Sequence, residues 1–159
     1  MNLNELIELI KKSNPAALDS IPQMQVAGIL RATANQMRKK LVNASDSEVS
    51  IQNLGRFKRK TDGQNTFEFH QSEKNDDQPS EMVEPIKKSN PQLSNIPDAK
   101  IGSLVLTAVA QVRGQILAAN VGGVQVPIFG RFNIQQVERE KEGKKETVKT
   151  ITFLLAEQQ

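Results

Sequence analysis

Val49-Ser50-Ile51-Gln52-Asn53-Leu54-Gly55-Arg56-Phe57 and Val124-Gln125-Val126-Pro127-Ile128-Phe129-Gly130-Arg131-Phe132 each end in Gly-Arg-Phe, and they lie 75 residues apart. The same spacing relates Ile21-Pro22 to Ile96-Pro97, and Gln36, Arg38 and Ala44 to Gln111, Arg113 and Ala119. Upstream, Ile10-Lys11-Lys12-Ser13-Asn14-Pro15 returns as Ile86-Lys87-Lys88-Ser89-Asn90-Pro91 at a spacing of 76, so one residue has been deleted between the blocks. Glu5 and Glu8 answer to Glu81 and Glu84, and apolar character persists where identity fails: Val26 with Ile101, Ile29 with Leu104, Leu41 with Ile116. Chance supplies a single hexapeptide match, but not a collinear series, so the chain is an internal duplication. A unit of about 75 residues is too small for a generous core, and two such units bury their apolar faces most economically against each other.

Within each unit the apolar spacing changes from helical to alternating. Leu6, Ile7, Leu9 and Ile10 predict a helix over Asn4–Lys12, with Asn4 as N-cap and Asn14-Pro15 as the stop. In the second copy Ser80 takes the cap, Met82, Val83 and Ile86 repeat the stripe, and Pro85 predicts a kink or a late start. A longer helix follows over about Met24–Val42, and its counterpart over about Ala99–Ala118. Turns at Asn43–Glu48 and Asn120–Gly123 lead into strands through Val49, Ile51 and Phe57, and through Val124, Val126, Ile128, Phe132 and Ile134. The first unit closes with a hairpin around Asp62-Gly63 into Thr66–Phe69. The second closes with a longer one whose tip lies near Glu142-Gly143, returning Val148, Ile151 and Phe153 beside Phe132 and Ile134. The expected fold class is α+β: two repeats of helix, helix and three-stranded antiparallel sheet, over 1–70 and 80–159, joined by the polar linker 71–79.

The composition excludes several chemistries. The 159 residues contain no Cys, so disulfides, thiolate metal sites and thiol nucleophiles are ruled out. The N-terminal sequence shows no signal-peptide pattern. Ile101–Val112, the longest apolar stretch, is interrupted by Gly102, Ser103, Thr107 and Gln111 and is too short to span a bilayer, so no membrane partner is expected. His70 is the only histidine, and it stands between a strand and polar residues. Glu138, Glu140 and Glu142 alternate with Arg139 and Lys141 on an exposed hairpin, where no burial tunes a carboxyl for acid–base work. Gly122-Gly123 reads as a turn rather than a phosphate loop. The six Phe residues mostly fall at inward strand positions and read as core. No catalytic constellation and no cofactor site is legible, and a non-enzymatic protein is expected.

The order of helices and the two strands ending in Gly-x-Phe resemble the HU/IHF family of bacterial histone-like, nucleoid-associated proteins. The resemblance implies helices beneath a saddle of strands, with extended β-arms reaching around DNA. Two copies in one chain imply an intramolecular pseudo-dimer, or a homodimer if the repeats exchange between chains. It further implies double-stranded DNA as partner, read with low sequence specificity, and a cytoplasmic location on the nucleoid, or in a virion if the chain is phage-encoded. The departures are specific. Neither hairpin carries the Arg-Asn-Pro tip whose proline wedges between base steps. The hairpin at Lys58–Thr66 is too short for an arm, the tip Glu138–Glu146 mixes signs, and the family's C-terminal helix is missing from both copies. Binding through the phosphate backbone without proline intercalation is therefore the expectation.

Charge is uneven along the chain. The net charge is only +3, yet Arg31, Arg38, Lys39, Lys40, Arg56, Lys58, Arg59 and Lys60 face only Asp46 and Glu48 between residues 31 and 60. Strand alternation puts Arg56, Lys58 and Lys60 opposite Phe57, away from the core. Arg131 takes the equivalent place in the second unit, where Asn133 and Gln135 replace the next cations. Arg56, Lys58, Arg59, Lys60 and Arg131 are the first candidates for phosphate contact, and Arg139, Lys141, Lys144, Lys145 and Lys149 on the second hairpin are the next. Lys11-Lys12 and Lys87-Lys88 end their helices, where cations complement the helix dipole. A reading from another class remains open: a protein-interaction, phage structural or regulatory module that keeps the fold without binding DNA and offers its hairpin or sheet edge to a protein partner.

Overall fold

The structure, a computed structural model, describes residues 3–19, 21–42, 48–59, 66–71, 82–119, 121–126 and 128–156. Helix α1 (Leu3–Ser13) buries Leu6, Ile7 and Ile10, carries Glu5 in its first turn and Lys11 and Lys12 in its last, and so places each charge where the helix dipole favours it. Asn4 lies inside this helix rather than capping it. Pro15 ends it and opens a 3₁₀ turn, Pro15–Leu18. Helix α2 (Gln23–Val42) follows, with the Pro22 carbonyl accepting from the amides of Gln25 and Val26. In the second half α3 (Val83–Ser89) begins late. Pro85 falls within its first turn, where backbone N–H groups have no intrahelical acceptor, so the missing donor costs nothing. Ser80, read as the cap, lies outside the described residues. A 3₁₀ turn at Pro91–Leu93 then leads to α4 (Asp98–Ala118), where Pro97 repeats the role of Pro22.

Among the described residues there are six strands: β1 (Glu48–Ile51), β2 (Gly55–Arg59), β3 (Thr66–Gln71), β4 (Gly122–Val126), β5 (Gly130–Lys141) and β6 (Lys144–Leu155). They correct the expected architecture. Instead of two helix–helix–sheet repeats of the HU/IHF kind paired as a pseudo-dimer, the strands form one curled antiparallel sheet in the order β1-β2-β3-β6-β5-β4. The physical reason is the pairing of β3 with β6, which sets Thr66 against Leu154, Phe67 against Phe153 and Glu68 against Thr152. The inner edge of each three-strand set is thereby satisfied by the other, so no open edge is left at the middle. The helices do not keep to their own halves either: α1 packs on α4, and α3 on α2. Gly122 and Gly123, read as a turn, are paired residues of β4. Helix α4 is, by length and composition, apolar enough to cross a membrane, contrary to the reading of Ile101–Val112. Ile101, Leu104, Val105, Ala108, Val109, Val112 and Ile116 along it are buried in the protein core.

One face of the sheet supplies that core. All six phenylalanines are buried, and Phe57 stands at their centre with ring centroids 4.9–6.4 Å from each of the other five. Tilted and edge-to-face geometries of this kind add to the gain from burial. Phe57 and Phe69 come from the first half and Phe132 and Phe153 from the second, so the cluster belongs to neither. Gly55 and Gly130 open β2 and β5 with φ +153° and +155°. A Cβ at Gly55 would run into the His70 carbonyl and the Phe69 ring, and one at Gly130 into the Leu154 carbonyl and the Phe153 ring. The glycine of Gly-Arg-Phe is therefore required by the neighbouring strand's close approach.

Candidate functional site

The face of the sheet opposite the phenylalanines is built by the alternate residues of each strand. On β1 these are Glu48 and Ser50, on β2 Arg56 and Lys58, and on β3 Glu68 and His70, all exposed. From the second half come Gln125 of β4, Arg131 and Gln135 of β5 and Leu154 of β6, also exposed, with Asn133 and Thr152 half-buried. The register orders them into rows. One row runs Glu48, Lys58, Glu68, Thr152, Asn133, Gly123, and Arg56 lies between Ser50 and His70. Arg131 lies between Gln125 and Leu154.

Beyond Ile134 and Ile151, β5 and β6 leave the sheet as a two-stranded arm. Its register holds from Gln135 opposite Thr150 to Lys141 opposite Lys144. Glu142 and Gly143 close the tip with φ 56° and 77°, a two-residue turn whose positive dihedrals match the twist of a hairpin. Arg139 faces Glu146 across the strands and Glu140 faces Lys145, so the arm partly neutralises itself. Arg139, Lys141 and Lys144 continue the open face, while Lys145 and Lys149 fall on the other side of the ribbon.

The structure brings together only some of the residues singled out from the sequence. Arg56, Lys58 and Arg131 share the open face, and Arg139, Lys141 and Lys144 extend it. Arg56 is not free, because its NH1 lies 3.5 Å from Glu48 Oε1. Arg59 points to the helical side, where its NH2 donates to the Leu41 carbonyl at 2.9 Å and its guanidinium sits 5.0 Å from the Phe67 ring centroid. Lys149 likewise donates from Nζ to the Ile116 carbonyl at 2.7 Å. Both close helix ends rather than offering a contact to a ligand. Lys60 lies outside the described residues. Glu48 was visible in the sequence only as one acid in a charge sum. Its role as the partner of Arg56 emerges from the β1–β2 register.

Among the described residues no group of three or more His, Asp or Glu side chains is placed to hold a metal ion. A small recess between α1, α2, α4 and β4 is lined by Leu3, Leu6, Leu30, Met37, Val109 and Val126, among others. Its Thr33 hydroxyl is already donated to the Ile29 carbonyl, so the recess offers no polar handle. No family model, curated protein or solved structure matches the chain.

Proposed function

We propose that the open face of the sheet and the β5–β6 arm bind duplex nucleic acid through the phosphate backbone, without catalysis and with little choice of sequence. The observation that carries this reading is the division of the sheet. Its apolar face is buried against the helices, while Arg56, Lys58 and Arg131 stand exposed on the other face and Arg139, Lys141 and Lys144 extend it along an arm. Cations held on a rigid sheet neutralise phosphates and release counterions, which gives affinity independent of base identity. The arm tip is Glu142-Gly143 and carries no apolar wedge, so binding proceeds without intercalation.

Fluorescence anisotropy with a short labelled duplex tests the reading. If about four phosphates are contacted, affinity falls about 10²-fold between ~50 and ~200 mM salt, and a scrambled duplex binds equally well. Absence of binding at the lower salt overturns it. A second reading has its own support. Val137 and Val148 face each other on the arm, with Val137 38% exposed, and among the described residues no strand pairs with the arm's outer edges. Such a ribbon can add to a partner protein's sheet. Partners retained from nuclease-treated lysate, and lost when both valines become threonine, favour that reading over the first.

A further inference from the structure

The two halves present the open face unequally. At the 75-residue spacing Glu48 answers to Gly123, Arg56 to Arg131 and Lys58 to Asn133. The register adds one more correspondence, because Glu68 opposite Lys58 matches Thr152 opposite Asn133. In the first half each cation therefore has carboxylates beside it. Arg56 is within 3.5 Å of Glu48, and Lys58 is placed between Glu48 and Glu68. In the second half both acidic positions are neutral. The Arg131 guanidinium lies against Gly123, so close that a Cβ there would fall 2.5 Å from its NH2. Among the described residues no carboxylate pairs with Arg131.

We propose that Arg131, set between Gln125 and Leu154 with Asn133 two residues along β5, is the phosphate-binding site of the open face, and that Glu48 holds the duplicate arginine, Arg56, out of that role. This rests on the phosphodiester reading given above and makes it asymmetric: the ligand engages the β4–β5 end of the sheet and continues onto the arm. A guanidinium presents a fork that fits two oxygens of one phosphate. At Arg56 the Glu48 carboxylate competes for that fork and repels an incoming anion. At Arg131 the glycine removes the competing charge, and the space left by its missing side chain is taken by the guanidinium itself. A single negative charge within a Debye length of the phosphate changes affinity by about threefold to tenfold.

Exchanging the residues at the duplicated position tests this. Gly123→Glu gives the second half the acid of the first, Gly123→Gln adds the same bulk without charge, and Glu48→Gln removes the acid from the first half. Room for either side chain at 123 comes from the far end of the Arg131 side chain, which can move. The expected duplex affinities are about tenfold weaker for Gly123→Glu, within threefold of the parent for Gly123→Gln, and about threefold tighter for Glu48→Gln. The slope of log affinity against log salt drops by about one for Gly123→Glu. Equal losses for the Glu and Gln variants, or no loss for either, overturn the proposal. In parallel, inorganic phosphate is titrated into the full chain while the arginine Nε–Hε resonances are followed by NMR. The Arg131 signal should move and the Arg56 signal should not, and an equal response overturns the assignment. A protein that ignores duplex at every salt concentration defeats the nucleic-acid reading alone, and the phosphate titration still decides between the two arginines.

Discussion

The ammonium of Lys149 lies 2.7 Å from the carbonyl oxygen of Ile116 and so closes the C-terminal end of α4. Its counterpart in the first half is Arg59, 2.9 Å from the carbonyl of Leu41 at the end of α2. Leu41 and Ile116 are 75 residues apart, so the same helix end is capped twice. The caps come from different strands, β2 in one half and β6 in the other. The duplication kept the physical requirement, a cation against unsatisfied carbonyls, and let its source drift.

These caps predict a separation of stability from binding. Lys149→Met leaves the α4 carbonyls without their charged donor and costs about 1 kcal/mol. Arg59→Leu also loses the cation–π contact with Phe67, and costs about 2 kcal/mol. Urea unfolding should show the midpoint falling with an unchanged slope. Lys149→Met should leave the salt dependence of duplex binding as it is, because its Nζ faces the helix. A shallower salt slope would return Lys149 to the interface.

Gly130 is the position where the smallest change should do the most damage. An added methyl meets the Leu154 carbonyl and the Phe153 ring, neither of which can yield without breaking the β5–β6 register. Gly130→Ala is expected to cost about 2–4 kcal/mol, with Gly55→Ala similar at the His70 carbonyl. Thermal unfolding of both variants checks this. A destabilisation no larger than that of a Gly28→Ala control at a half-buried position within α2, whose Cβ meets nothing within 4 Å, would refute the packing account.

Phe57 touches all five other phenylalanine rings, and its truncation opens a cavity shared by both halves. Phe57→Ala is expected to cost about 3–5 kcal/mol, and Phe57→Leu clearly less. Chemical denaturation should show one transition for either variant. Two resolved transitions would mean that the halves unfold separately.

The sequence carried the local part of this architecture and missed the global part, for a physical reason. Periodicity reports which face of an element is apolar, so α1, α2, α4, the Gly-Arg-Phe strands and the Glu142-Gly143 tip were all legible. It does not report which neighbour covers that face. Phe67 and Phe153 read as inward residues of two sheets, whereas their pairing across β3 and β6 makes one sheet. The candidate site shows the same limit. Alternation alone placed Arg56, Lys58 and Arg131 together on one face, but Arg59 and Lys149 counted as cations until the helix ends they cap came into view. The Glu48–Arg56 pair depends on register, which no charge sum contains.

A shared core makes the strongest prediction. Contacts between the halves run through every layer. The Asn14 side-chain amide donates to Thr107 Oγ1 at 3.2 Å, that of Gln111 to Ser13 Oγ at 2.7 Å, and Lys100 Nζ to the Asp19 carbonyl at 3.0 Å. Arg38 Nε reaches the Ala156 carbonyl at 3.0 Å, and the Gln71 amide reaches that of Arg113 at 3.1 Å. With α1 seated on α4, α3 on α2, and β3 joined to β6, a chain ending after β3 would expose its half of the phenylalanine cluster and one whole sheet edge to water. Neither half alone should hold that surface out of solvent. Expressed separately, each should lack a cooperative melting transition, while an equimolar mixture should regain one by circular dichroism, with a midpoint that rises with concentration because association is now bimolecular. Either half showing a cooperative, concentration-independent transition by itself would mean that the fold has two cores, and that the β3–β6 seam is a contact between finished domains.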